Sequence, residues 1–350
     1  MSAHRRQSRD APPGQNKLAD GDGFGYQGTM NARKISRRDA LARAGLLVGT
    51  AAIANRPGVA TAAAEPAGQS ARPAFRFCLN TATIRGHKLG IVKEIGVAAE
   101  AGYDAVEVWV DTLGEYVKNG GSLPDLKKRI SDLGLTVEGA IGFPEWVVED
   151  EARRAKGMER AKQEMEMVAQ IGGRRFAAPP AGATDLPRLE WLKAAERYRA
   201  LLEVGEQLGV VPELEVWGFS KNLGRLSECV AVAMETGHRN ACVLPDVFHL
   251  YKGGSDLRGI RLLGPETIQV LHMNDYPADP PREKIDDSYR VYPGDGVAPL
   301  AELLQTLRRT GGQKVLSLEI FNRTYWLQDP VSVAKTGLAK MKAVAAKATA

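Results

Sequence analysis

A repeat restricts this chain more than any other feature. From Pro73 onward, short apolar runs rich in β-branched residues alternate with longer amphipathic stretches, and the alternation occurs eight times. The runs are FRFCLN (75–80), DAVEVWV (104–110), LTVEGAIG (135–142), RRFAAP (174–179), VPELEVW (211–217), ACVLPDV (241–247), IQVLHMND (268–275) and KVLSLEIF (314–321). This alternation predicts repeated βα units and a parallel sheet. Several helix candidates, LEWLKAAERYRALLEVGEQLG among them, close on glycine: Gly102, Gly134, Gly172, Gly209, Gly237 and Gly311. Glycine ends a helix in the left-handed conformation without a Cβ clash. Eight such units in about 270 residues predict a single α/β (β/α)8 TIM barrel over 73–350. A doubly wound open sheet is the alternative, but LNTATIRGHK after the first run lacks the glycines of a pyrophosphate-binding turn.

The first 72 residues read differently. MSAHRRQSRDAPPGQNKLADGDGFGYQG is polar, Gly-rich and without periodicity, which predicts disorder. KISRRDALARAGLLVGTAAIA follows, with Arg37 and Arg38 before a moderately apolar stretch and an A-x-A cleavage site near Ala64. Ser36, Arg37, Arg38, Asp39 and Leu41 resemble a twin-arginine export signal, with Ala40 where phenylalanine is commoner. Met1 and Met30 are both candidate starts. Arg43 and the small residues make the run too weak for a stable membrane span. The expectation is an exported, periplasmic or extracytoplasmic protein, with the translocation machinery as a transient partner.

Removing the leader changes the charge. Ten of the 47 Lys and Arg and four of the 42 Asp and Glu precede residue 65, which leaves 37 and 38 and turns the net charge from +5 to −1. A nucleic-acid binder would carry a basic surplus in its folded part, so no nucleic-acid partner is expected. Three cysteines, none in metal-ligand spacing, form no disulfide framework and read as buried thiols.

The active site of such a barrel lies at the C-terminal ends of its strands. Polar residues there are Glu107, Glu138, Glu215, Asp246 with His249, His272 with Asn274 and Asp275, and Glu319. A carboxylate inside LEVW or LEIF is strongly disfavoured without a cation. Closure would bring Glu215, Asp246, His272 and Glu319 to one point. Three oxygens and one imidazole suit one divalent ion, Mn²⁺ before Mg²⁺, Co²⁺ or Zn²⁺. Glu138 has no second clue and is assigned a structural role.

These residues resemble the xylose isomerase-like barrel superfamily, the sugar phosphate isomerases and epimerases. The resemblance rests on GYDAVEVW, LEVW, PDVFHLY, VLHMND, RVYPGDG and SLEIF, in that order over about residues 75–345. It implies Glu215, Asp246, His272 and Glu319 as metal ligands. His249 and Arg290 are implied as substrate contacts, and Glu107 as a group near the site. Pro212, Pro245, Trp217 and Phe219 depart from epimerases of free ketoses, so the substrate does not carry over.

The implied chemistry is isomerisation or epimerisation of a keto sugar through an enediolate, with Glu215 and Glu319 exchanging base and acid roles. Loss of a β-leaving group would instead make a dehydratase or lyase. Trp109, Trp146, Trp217 and Trp326 stand near strand ends and suit the C–H face of a sugar, Trp109 and Trp217 in particular. The lack of a Gly-rich phosphate cradle favours a neutral or oxidised sugar, or a glycoside, over a sugar phosphate. Residues 274–296 read as a lid that brings Arg290 to the substrate. Two other classes compete, an endonuclease IV-like phosphodiesterase and a non-catalytic sugar-binding module. The first needs more histidines than the His87, His238, His249 and His272 that follow the leader. The sequence leaves a homo-oligomer open.

Overall fold

The structure is a computed structural model that describes residues 73–349. The leader expected over 1–72 lies outside the described residues. Eight strands stand where the eight apolar runs predict them: β1 (Phe75–Asn80), β2 (Ala105–Trp109), β3 (Thr136–Ile141), β4 (Arg175–Ala178), β5 (Val211–Glu215), β6 (Val243–Leu244), β7 (Val270–Met273) and β8 (Lys314–Leu318). All ladders are parallel. They form a five-stranded sheet in the order β3-β2-β1-β8-β7 and a three-stranded sheet in the order β4-β5-β6. β3 lies beside β4. Across the other seam Asp246 bridges to His272, whose N–H donates to the Pro245 carbonyl at 3.0 Å. The cylinder is closed, which excludes the doubly wound open sheet.

The helices are α1 (Ile91–Ala101), α2 (Val110–Lys118), α3 (Leu123–Asp132), α4 (Glu151–Gln170), α5 (Trp191–Leu208), α6 (Leu226–Glu235), α7 (Val247–Lys252), α8 (Leu300–Arg309) and α9 (Pro330–Thr349). In α8 the buried residues are Leu300, Leu303, Leu304 and Leu307. That i, i+3, i+4, i+7 spacing places one apolar stripe on the barrel, and truncating any one of them to alanine would cost about 2–5 kcal/mol. α1 and α5 end on Gly102 (φ 88°) and Gly209 (φ 69°), the left-handed stops expected of them. Among the described residues no helix is long and apolar enough to cross a membrane.

Strand alternation sorts the barrel interior into three layers. At the N-terminal end Glu138 meets Arg76 at 3.2 Å and also pairs with Arg175. Arg175 reaches Glu213 at 3.4 Å. Glu138 therefore has the structural role expected of it. Two residues further along the strands a small apolar layer includes Cys78, Ala105, Ala177, Val270 and Val315. Two residues beyond that come Asn80, Glu107, Glu215, His272 and Ser317, all buried. The apolar layer is thus a floor beneath a polar one.

Strand β6 is only two residues long because Pro245 has no N–H to continue the ladder. The chain turns there, and Asp246 Oδ1 accepts from the His249 N–H at 2.8 Å to cap α7. Trp146, expected near the sugar, is instead fully buried: its Nε1 donates to the Pro179 carbonyl at 2.7 Å and its ring meets Tyr198. It is a core residue.

Burial pushes the Glu213 carboxyl up to about 8, against the pull of Arg175. An unfolded glutamate loses its proton near pH 4.3. Between these values the folded chain holds the extra proton, so stability falls as pH rises, by at most about 1.4 kcal/mol per pH unit. Glu213→Gln should therefore lose less stability than the parent between pH 5 and pH 8, as read from urea midpoints.

Candidate functional site

His272 is the centre of the polar layer. Its Nδ1 lies 3.3 Å from Glu319 Oε2, 3.7 Å from Glu215 Oε1 and 3.9 Å from Asp246 Oδ2. Its Nε2 lies 3.0 Å from Glu107 Oε2. Neither ring nitrogen meets a hydrogen-bond partner in aligned geometry, and Glu215 Oε2 is likewise buried without one. Each residue arrives from a different strand: Glu215 ends β5, Asp246 follows β6, His272 lies in β7 and Glu319 follows β8.

Supporting contacts fix these positions. Glu107 Oε2 accepts from Ser317 Oγ at 2.7 Å and from Asn80 Nδ2 at 3.0 Å. Asn80 Nδ2 also reaches Glu319 Oε1 at 3.0 Å, and its Oδ1 accepts from Trp109 Nε1 at 3.0 Å. Asn274 Nδ2 donates to Asp246 Oδ2 at 2.8 Å. Glu107 thus stands behind His272, with its Oε2 3.0 Å from Nε2, and it does not line the cleft. Nothing in the sequence distinguished Asn80 and Ser317 from ordinary polar residues, although both obey the strand-end rule.

Arg290 is the cation that the acidic cluster meets. It is buried, with Nη1 donating at 2.8 Å to both Asp246 Oδ2 and Glu319 Oε2. Its Nη2 lies 2.6 Å from Asp287 Oδ1 and 3.2 Å from His249 Nε2. The segment that carries it is tied down at Asp275, whose N–H and carbonyl exchange bonds of 3.0 and 2.9 Å with Val291. The Asp275 carboxylate accepts from the Gly294 and Ala298 N–H groups, both at 2.9 Å. A Cβ at Gly296 would collide with that carboxylate and with the Tyr276 carbonyl. This is why the loop reads PGDG.

The protonation pattern follows the crowding. Burial pushes the His272 imidazole down, but the Glu319 and Glu107 carboxylates outweigh it and hold it well above its ordinary value. Burial drives the Glu215 carboxyl well above the carboxylate range, with His272 opposing. Glu319 is also desolvated, yet His272 and Arg290 hold it below the usual value. Burial, helped by Arg290, lowers His249 to about 4, which leaves it neutral at pH 7.

One atom each from Asp246, His272 and Glu319 falls within 4.8 Å of the others, so the three form a set able to hold a metal ion. Ligands about 2.0–2.2 Å from one ion stand about 3–4 Å apart. The spacings around His272 Nδ1, that to Glu215 included, lie in this range. The oxygen-rich donor set and the unpartnered Nδ1 fit a divalent cation.

Above this floor opens a cleft of about 710 Å³ lined by Trp109, Trp217, Trp326, His249, Arg290 and others. Its wall is a chain of rings in contact. Phe321 meets Trp109 at 6.0 Å between centroids, Trp109 meets Phe143 at 5.3 Å, and Phe143 meets Trp217 at 5.8 Å. Trp217 meets Phe219 at 5.2 Å, and Phe219 meets His249 at 5.3 Å. Arg290 closes the circle, because it contacts His249 and its Cζ lies 5.1 Å from the Phe321 ring. Sequence reasoning found the tryptophans and missed Phe143 and Phe321, which stand just past β3 and β8.

The family model described as xylose isomerase-like TIM barrel matches residues 95–344. An inosose isomerase of Bacillus velezensis is 26% identical, over 78% of this chain and 98% of its own length. A 3-dehydroshikimate dehydratase of Pseudomonas aeruginosa is 26% identical over 66% of this chain, matching 36% of that longer protein. The crystal structure of IolI protein with a bound zinc atom superposes with a TM-score of 0.72, at 22% identity over 78% of this chain and 98% of that one.

Arg290→Met removes the guanidinium that donates to both Asp246 and Glu319, leaving the His272 imidazole to face the buried carboxylates alone. It should destabilise the metal-free protein by about 3–5 kcal/mol in urea. A loss under about 1 kcal/mol would show that Arg290 does not carry the cluster's charge.

Proposed function

The chain belongs to the xylose isomerase-like TIM barrel family, and from that premise we propose that it is a metal-dependent isomerase or epimerase of a keto sugar or keto-cyclitol. One observation carries this reading: three carboxylates from three strand ends face the same unpartnered nitrogen of His272. Arg290 meets two of these carboxylates, but His272 Nδ1 and Glu215 Oε2 stay buried without a partner, and a divalent cation would satisfy both.

Asp246, His272 and Glu319, with Glu215 beside them, would hold the ion. Bound there, a divalent cation supplies Lewis acidity that makes the carbon next to a carbonyl acidic. The chain's own residues do the rest. Glu215 and Glu319 would exchange base and acid roles at that carbon, one taking the proton and the other returning one. Glu107 stands behind the His272 ring, and Arg290 and neutral His249 bind substrate oxygens at the cleft floor. Mn²⁺ is our first choice of ion from the oxygen-rich set, while the zinc of IolI makes Zn²⁺ the next to try.

A dehydratase is the second reading, supported by the similarity to a 3-dehydroshikimate dehydratase. Elimination and epimerisation share the first proton abstraction. The arginine-pair segment before residue 65 supports export of the folded enzyme, on sequence alone.

Proton exchange tests both readings together. The Mn²⁺-loaded protein should exchange the proton beside the carbonyl of an inosose or ketose with D₂O, as followed by NMR. Glu319→Gln and Glu215→Gln should each slow the exchange by about 100-fold or more, and chelation should abolish it. Exchange at the parent rate in both variants would refute the two-glutamate mechanism.

A further inference from the structure

The cleft is built in two parts. Its charged groups that pair with one another, Arg290, Glu319 and Asp287, gather on one side around His249, whereas the ring-to-ring circle is apolar all the way from Phe321 to Phe219. Its volume of about 710 Å³ falls in the range of about 300–1,000 Å³ that takes drug-sized ligands. A single keto sugar would meet such a wall with its C–H face alone.

One tryptophan is mounted apart from that circle. The Trp326 indole lies against Gly86, where any Cβ would overlap its ring. Its Nε1 donates to the Thr83 carbonyl at 3.1 Å. The same β1 loop places the Arg85 guanidinium 4.2 Å over Trp109, and Arg85 pairs with Asp111. Backbone at Gly86 and Thr83 thus holds the ring from behind while the indole lines the cleft. A side chain at residue 86 would push it into the open space.

We propose that the aromatic circle and Trp326 form a second subsite that takes the aromatic aglycone of a glycoside, with Trp326 as the specificity-determining residue. This rests on the reading of the floor as the place where a keto sugar reacts. The sugar ring reaches the floor and the aglycone ring lies in the circle, facing Trp326. Arg85 and Arg290 stack on the outer rings Trp109 and Phe321, and the ring surface that runs on to Phe219 suits a flat aromatic group, which packs edge-to-face or offset against such rings.

The test measures binding, not turnover. Phenyl β-D-glucopyranoside and methyl β-D-glucopyranoside carry the same sugar and differ in the aglycone. Titration calorimetry on the full chain loaded with Mn²⁺ should give a dissociation constant about five- to tenfold lower for the phenyl glycoside. Trp326→Ala should remove that preference and leave methyl glycoside binding within about twofold of the parent. Trp326→Phe should keep most of it, and Gly86→Ala, which leaves the indole in place chemically but displaces it, should weaken it. Equal binding of the two glycosides, no binding of either, or equal weakening of both by Trp326→Ala would overturn the subsite. Proton exchange into a free keto sugar is a separate readout, so failure here leaves the reaction reading standing, and failure there leaves the aglycone preference measurable.

Discussion

Negative charge concentrated inside an apolar cylinder is the constraint on which the rest of this structure depends. Glu107, Glu215, Asp246 and Glu319 are all buried, and they crowd one imidazole. Desolvating a carboxylate costs several kcal/mol, and packing four together adds repulsion. The chain offsets this with Arg290, the imidazole of His272, and the donors of Asn80, Ser317 and Asn274. His272 Nδ1 and Glu215 Oε2 remain without partners. Those two atoms are the ones a bound cation would satisfy.

The fold positions this cluster by simple periodicity. In each strand residues two apart point the same way, so Cys78 and Asn80, Ala105 and Glu107, Glu213 and Glu215, Val270 and His272, and Ser317 and Glu319 all project into the barrel. The apolar layer seals the site from below, and the ring circle borders it from above. Pro245 contributes by ending β6 early, which frees Asp246 to cap α7 with one oxygen and present the other to Arg290. The two uses of one carboxylate explain why an apolar strand ends in Asp246 and His249.

Much of this was legible in the sequence, for physical reasons that also mark its limits. Apolar runs buried on both faces leave an unmistakable alternation with amphipathic helices, and β1 falls on the residues expected of it. The acidic strand ends stood out because a carboxylate inside LEVW or LEIF contradicts its surroundings. Other members of the site did not contradict theirs. Asn80 and Ser317 are ordinary polar residues, and only three-dimensional closure brings them to Glu107 from 27 and 210 residues away. Trp146 misled because proximity to a strand end does not say which way an indole points; it points into the core. The circle of rings was invisible for the same reason, since its members come from loops that sequence spacing does not relate.

The central claim is that the buried acidic cluster is a cation site, and metal stoichiometry tests it most directly. Protein dialysed free of metal, incubated with Mn²⁺ or Zn²⁺ and desalted should carry one ion per chain by elemental mass spectrometry. His272→Gln and Asp246→Asn, if folded by circular dichroism, should carry none. An unaltered protein that retains no ion, or variants that retain it fully, would contradict the account.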